Sequence, residues 1–299
     1  MPEQKPIGEL DAVEDLGTRV VIQGIAGSFH HLAARRYFGN LPLEIVPASS
    51  FPLLVKKMEQ RPGPDFALMA IENSVAGSLL PNYQILYDSD LVICGEVYLR
   101  ISQNLLGTGG CAIADLREVY SHPMAIAQSR LFFERYPHIR LIEAEDTAGS
   151  ARWLADHPRS HIGVIASRQA AVCYGLQVLA SGIETHPRNY TRFLVLRPKT
   201  RASLSKGEGG HVKISLSFDL AHEVGSLHRV LAGMASFGAN LTQIQSSPIL
   251  GRPWEYRFFA DLLLSGKAKL PSLLGEIEAR AAEVTVLGVY KAGNHYEEH

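Results

Sequence analysis

The sequence predicts an α/β protein of two lobes followed by a small α+β unit, on three observations. From about residue 19 to 197, apolar runs suited to buried strands alternate with segments of helical spacing, the pattern of parallel α/β sheets. A stretch at 199–210 rich in Lys, Arg, Ser and Gly then reads as a linker. Beyond it the style changes. Val212, Ile214, Leu216, Phe218 and Leu220 alternate strictly, as in a strand with one buried face, and the order that follows is βαββαβ, a ferredoxin-like unit over 211–290.

Residues 1–17 read as a loosely ordered lead-in. Val20-Val21-Ile22 opens the first strand, which ends in Gln23-Gly24-Ile25-Ala26-Gly27-Ser28. The two glycines permit a tight turn, and Ser28 is placed to cap a helix carrying Phe29, Leu32, Ala33 and Tyr37. This corner is either an anion site at a helix N-terminus or an ordinary strand-to-helix turn. It lacks the glycine pattern of a dinucleotide fold and the Gly-Lys-Ser/Thr of a P-loop. Leu43-Glu44-Ile45-Val46 is a second strand, and Ser49 or Ser50 caps a helix through Leu53, Leu54 and Met58. The wholly apolar Phe66-Ala67-Leu68-Met69-Ala70-Ile71 fits a strand buried on both faces. Glu72, Asn73 and Ser74 follow directly, which is either a ligand position at a strand's C-terminal end or a helix cap with a surface loop.

The alternating Leu91 to Leu105 suits a long crossing strand, and Gly107-Thr108-Gly109-Gly110 loosens the chain after it, so lobe crossings are expected near 104–110 and near 190. In the second lobe, Ser121-His122-Pro123 precedes a helix bearing Gln128. His122 is either a general base or a loop-packing residue, while Ser121 and Gln128 are neutral donors and acceptors able to hold carboxylate or hydroxyl groups. Asp146 and Thr147 cap the next helix, His161 to Ala166 form a strand, and Ser167 opens a helix that Gly175 ends. The lobe closes on Asn189-Tyr190-Thr191-Arg192-Phe193, where a polar loop feeds the apolar run Leu194-Val195-Leu196.

Bulk properties narrow the class of function. Of 299 residues 46% are hydrophobic, and 29 basic side chains stand against 30 acidic ones, with no long like-charged run. Neither nucleic acid nor an anionic membrane is the expected partner, and small-molecule chemistry fits better. The N-terminus lacks a secretory apolar core, and no run approaches the roughly 20 apolar residues of a membrane span. Cys94, Cys111 and Cys173 are odd in number and form no CxxC pair, so a disulfide framework or zinc site is not implied; each is expected to be a small buried hydrophobe in a reduced, cytoplasmic setting.

Taken as an ordered set, Gly24 to Phe29, Ile71-Glu72-Asn73-Ser74 with Gly77, Ser121-His122-Pro123 with Gln128, Asp146-Thr147-Ala148 and Thr191-Arg192-Phe193 resemble prephenate dehydratase. The C-terminal unit resembles the phenylalanine-binding ACT domain of that family. The likeness runs from about 19 to 290. It implies a bilobal, periplasmic-binding-protein-like (type II) catalytic domain over 19–198 and an ACT regulatory domain over 211–290. It further implies conversion of prephenate to phenylpyruvate in phenylalanine biosynthesis, without metal or organic cofactor.

The resemblance also implies roles. Thr191 corresponds to the family's catalytic threonine. Glu72, Asn73, Ser121 and Gln128 match active-site positions, with Arg192, Phe193, Ser74 and Ser28 binding substrate. In the regulatory unit Gly225, Ser226 and Leu227 stand for the usual Gly-Ala-Leu, and Gln245, Ser246, Ser247 and Pro248 for Glu-Ser-Arg-Pro. Ile25 stands where a proline is common. Phenylalanine as effector and a homodimer or homotetramer are expected from the family, and nothing N-terminal resembles a chorismate mutase helix, which implies a monofunctional enzyme. Two other readings stay open: arogenate dehydratase, the same elimination on the aminated substrate, and an amino-acid-binding sensor without turnover.

Overall fold

The computed structural model describes residues 17–60, 62–201, 211–265 and 269–293. The expected lead-in, and all of the expected linker after Arg201, lie outside them. The chain forms two compact units. The described residues of 13–78 and 97–193 make one, and those of 79–96 and 194–299 the other, with the boundaries falling inside strands β5 (Leu91–Arg100) and β11 (Tyr190–Pro198).

The first unit holds two sheets. In one, β1 (Thr18–Gln23) lies parallel to β2 (Leu43–Ala48) and to β3 (Phe66–Asn73), β11 flanks β3, and the short β4 (Gly77–Ser78) turns back on β3. Val20, Val21, Ile22 and all of Phe66 to Ile71 are buried, as two-sided helix cover demands. Ser28 and Ser50 cap helices α1 (Phe29–Phe38) and α2 (Phe51–Glu59) through their side-chain oxygens. The other sheet has the order β10-β6-β9-β7-β8, with β6 (Asn104–Gly107), β7 (Glu118–Ser121), β8 (Arg140–Glu143), β9 (Ile162–Ala166) and β10 (Gln177–Ser181). Apolar clusters back it with α4 (Pro123–Phe133), and with α5 (Thr147–Asp156) and α6 (Arg168–Tyr174). Strands β7, β8 and β9 are mutually parallel, and β6 runs antiparallel to both of its neighbours, β9 and β10, correcting the expectation of a wholly parallel second sheet. The chain crosses at 101–103, since Asn104 already pairs with Ala166, and returns at 182–189. Of the Gly107–Gly110 stretch, Gly107 ends β6 and the rest is a loop after the crossing.

In the second unit β12 (His211–Leu220), α7 (Ser226–Ser236), β13 (Asn240–Pro248), β14 (Tyr256–Ser265), α8 (Leu270–Glu278) and β15 (Ala282–Lys291) follow the βαββαβ order. The antiparallel sheet reads β13-β14-β12-β15, and Ile214, Leu216 and Phe218 pack with Val230, Met234, Leu273 and Ile277 of the two helices. The other face is not open to solvent. Lys213, Ser215, Ser217 and Asp219 on β12 are all buried, which corrects the one-faced reading of that strand. Residues 79–96 cover them. Helix α3 (Leu80–Tyr87) sets the rings of Tyr83 and Tyr87 against Phe259, and β5 meets β15 at Ile93 and Gly288. A Cβ on Gly288 would stand 2.4 Å from the Ile93 carbonyl oxygen, so only glycine admits that strand.

Apart from Ser217 Oγ, which makes no hydrogen bond, the buried polar face finds its partners within the unit. Lys213 Nζ donates to both oxygens of Glu96, at 3.0 and 3.2 Å, and the Gly293 N–H adds 2.9 Å to Glu96 Oε1. Arg257 holds Asp219 in a two-pronged pair at 2.7 and 2.8 Å and lies 3.7 Å over the ring of Tyr87. Ser215 bridges Asp261 and Tyr290.

The three cysteines are free, but Cys173 is exposed, correcting the expectation of a buried hydrophobe. Cys111 is buried, while Cys94 keeps some exposed surface although burial pushes its thiol up to about 12. No helix among the described residues is long and apolar enough to cross a membrane.

Candidate active site

The C-terminal end of β3 and the start of β11 meet through Asn73. Its carboxamide nitrogen lies 2.7 Å from Asn189 Oδ1, 2.9 Å from Thr191 Oγ1 and 3.2 Å from the Tyr190 carbonyl. Its oxygen accepts from the backbone N–H of Val75 and Ala76. Asn189 Nδ2 then donates to Gln128 Oε1 at 3.1 Å. The structure therefore joins three sequence-predicted residues, Asn73, Thr191 and Gln128, through a fourth, Asn189, which had no assigned role.

The bonding state of Thr191 matters chemically. Its oxygen accepts from Asn73, and its own hydroxyl hydrogen has no protein acceptor among the described residues. A hydroxyl that accepts in this way, and is 8% exposed, keeps its own hydrogen available to donate.

The remaining predicted residues sit as follows. Successive strand side chains face opposite ways, so Glu72 and Arg192 point away from the faces bearing Asn73 and Thr191. Glu72 is half-buried and Arg192 buried. Phe193 is buried edge-on to the His30 ring, with centroids 4.9 Å apart. Ser74 stitches β3 to the loop before β11, accepting from the Tyr190 N–H and donating to the Arg188 carbonyl. Ser121 is fully buried and donates to the Ile165 carbonyl at 2.7 Å, a bond that ties β7 to β9. His122 is an exposed cap of α4, its Nδ1 accepting from the Met124 N–H. Ser28 caps α1 and is buried. In the other unit Gly225 starts α7 in a left-handed conformation, while Gln245, Ser246, Ser247 and Pro248 end β13 opposite Phe259, Phe258, Arg257 and Tyr256.

The glycine corner is held from across the unit. Ser167 donates to the Gly27 carbonyl at 2.6 Å and Tyr174 to the Ala26 carbonyl at 2.7 Å. A Cβ on Gly27, whose φ is +83°, would stand 2.8 Å from Ala170 Cα, so both its conformation and its neighbour require glycine. The crossing chains are also tied together: Gln103 N–H donates to the buried Glu184, and Ile101 N–H to the Asn189 carbonyl.

The corner has a pH-sensitive element. His31 Nδ1 accepts from the Gly27 N–H at 3.0 Å, so the imidazole is neutral there, and burial first, then Arg35, hold its pKa low. Burial pushes His30 down to about 4, with its Nε2 buried and unpartnered. Both groups bind protons more readily unfolded, near 6.5, than folded. Their stabilising contribution is therefore complete above about pH 6.5 and is lost as pH falls below it, for His30 toward about 4. Thermal melts should show a midpoint dropping from pH 7.5 to 5, before most carboxylates titrate. A flat profile across that window would refute the assignment.

The family model described as prephenate dehydratase matches residues 20–201. Arogenate dehydratase 2 of Petunia hybrida is 35% identical over 309 residues, covering 97% of this chain and 76% of that protein. The bifunctional chorismate mutase/prephenate dehydratase of Escherichia coli K12 is 28% identical over 288 residues, covering 95% and 74%. Among solved structures, the prephenate dehydratase of Arthrobacter aurescens in complex with L-Phe has a TM-score of 0.80 at 26% identity, covering 91% of this chain and 89% of that one. A structure titled GqqA, described as a novel type of quorum quenching acylase, has a TM-score of 0.82 at 28% identity, covering 92% and 98%.

Proposed function

Because the chain belongs to the prephenate dehydratase family, and is thereby a carbon–oxygen lyase, we propose that it converts prephenate to phenylpyruvate using the Asn73–Thr191–Gln128 cluster. The observation that carries this assignment is the Thr191 hydroxyl, which accepts from Asn73 and keeps its own hydrogen for a ligand.

The difficult event is departure of the C4 hydroxyl. Thr191 donates a hydrogen bond to that oxygen as its C–O bond breaks. The electrons of the ring-carboxylate bond flow into the ring, carbon dioxide leaves, and aromatisation drives both losses. The departing hydroxide takes its proton from solvent. Gln128 Nε2 donates to a substrate carboxylate, with Ser28, Ser121 and Arg192 shaping the surroundings, Ser74 bracing the loop and Phe193 packing beneath it.

Phenylalanine acts as effector at the C-terminal unit, an ACT domain in this reading, with Gly225 to Leu227 and Gln245 to Pro248 as its contacts. An L-Phe complex in a structural relative supports this. Strand β13 is the edge of its unit's sheet, which suits pairing of two copies. Three free thiols suit a reducing compartment such as the cytoplasm.

A second reading, arogenate as substrate, is favoured by the identity values, 35% to a plant arogenate dehydratase against 28% and 31% to the bifunctional enzymes of Escherichia coli and Aquifex aeolicus. Purified protein incubated with each substrate, with and without phenylalanine, decides. Saturable phenylpyruvate from prephenate is the expected result, and phenylalanine should change its rate. Phenylalanine formed from arogenate alone would assign the second reading. Amino-acid binding without turnover of either substrate would make the chain a sensor.

A further inference from the structure

The polarity of the amide chain is set from the backbone. Asn73 Oδ1 accepts from two backbone N–H groups, at 3.0 and 2.8 Å, and a backbone amide only donates. The Asn73 carboxamide cannot be turned over without setting donor against donor. Its nitrogen is thereby held at Asn189 Oδ1, which in turn directs Asn189 Nδ2 to Gln128 Oε1. Gln103 Nε2 adds a second donor at the same Gln128 oxygen, at 3.4 Å. Gln128 consequently turns its own Nε2 away from these three residues, and that nitrogen makes no hydrogen bond among the described residues. Asn189 is 1% exposed, so solvent does not compete for either of its bonds.

We infer that Asn189 is a positioning residue for this reaction: it fixes which end of the Gln128 amide faces the substrate, presenting an N–H donor to a carboxylate. The inference rests on the dehydratase reading above. Asn189 touches no reacting atom. It acts through Gln128, and it works because a carboxylate is acceptor-only, so a reversed Gln128 would meet it with an oxygen.

The test is a double-mutant cycle on the full chain with prephenate as probe, extended to arogenate if prephenate is not turned over. Asn189→Asp keeps the shape but accepts at both ends, which draws the Gln128 NH2 group back toward it. The expected result is a rise in KM of about 10- to 100-fold, with a smaller fall in kcat. In a Gln128→Ala background the same change should cost less than about threefold, because the group it acts through is gone. Asn189→Ala removes the donor without adding charge and should act in the same direction; it carries the cycle if the aspartate variant does not fold. Thermal midpoints report whether each variant retains its fold. Equal losses in both backgrounds, or no loss in either, would overturn the inference and leave the dehydratase reading standing. A wild-type enzyme that turns over neither prephenate nor arogenate would overturn that reading and this inference with it.

Discussion

Thr191→Ala is expected to lower kcat for phenylpyruvate formation by about 10²- to 10³-fold, the range for losing one hydrogen-bond donor to an oxygen that develops negative charge. KM should move only a few-fold, because the hydroxyl acts on an oxygen that becomes strongly basic only as its bond breaks. Thr191→Ser retains the oxygen that Asn73 polarises at 2.9 Å, so it should recover most of the loss. The comparison separates a chemical role from a packing one, since serine restores the hydroxyl but not the methyl group. Full turnover by the alanine variant at unchanged KM would remove Thr191 from the mechanism. Equal impairment of alanine and serine variants would make it a packing residue.

The second large effect concerns stability. Lys213→Met leaves the carboxylate of Glu96, only 5% exposed, without the ammonium at 3.0 Å. Breaking a buried pair from one side costs about 3–5 kcal/mol, because the remaining charge keeps its desolvation penalty. Urea unfolding should show that loss as a lowered midpoint. Adding Glu96→Gln should return much of it, since the residual group is then neutral and can still accept from the Gly293 N–H. A midpoint unmoved by Lys213→Met would show that the pair contributes nothing net. A double variant as unstable as the single one would place the cost in packing rather than in charge.

The two units were legible to different degrees, for physical reasons. Strict alternation from Val212 to Leu220 and the helix-period segments after it expose the βαββαβ order, because burial against helices writes a period into sequence. The same alternation misleads about the second face. Lys213, Ser215, Ser217 and Asp219 look like solvent-facing positions, yet they are buried, and the first is satisfied by Glu96, 117 residues away. No local pattern reports such a partner. Helix α3 was missed because Leu79 provides no side-chain cap and Leu80 to Tyr87 shows little apolar–polar contrast. In the candidate site, Asn73, Gln128 and Thr191 stood out through their motifs, whereas Asn189, at the head of the stretch that carries Thr191, had no role assigned to it. Its importance lies in contacting both Asn73 and Gln128, and Asn73 and Thr191 are themselves 118 residues apart. The antiparallel course of β6 was equally hidden, since strand direction leaves no trace in the period of a short apolar run.

The cover that residues 79–96 give the C-terminal sheet has a consequence for how the chain is born. Glu96 leaves the ribosome 117 residues before Lys213, which at about 5–20 residues per second is a wait of roughly 6–23 s. During that interval α3 and the first half of β5 have no sheet to rest on, and Tyr83, Leu86, Leu91 and Ile93 lack the burial they finally acquire. Completion of the C-terminal unit thus waits for strands made long after Glu96, and until then the nascent chain carries an exposed apolar segment of the sort that chaperones hold.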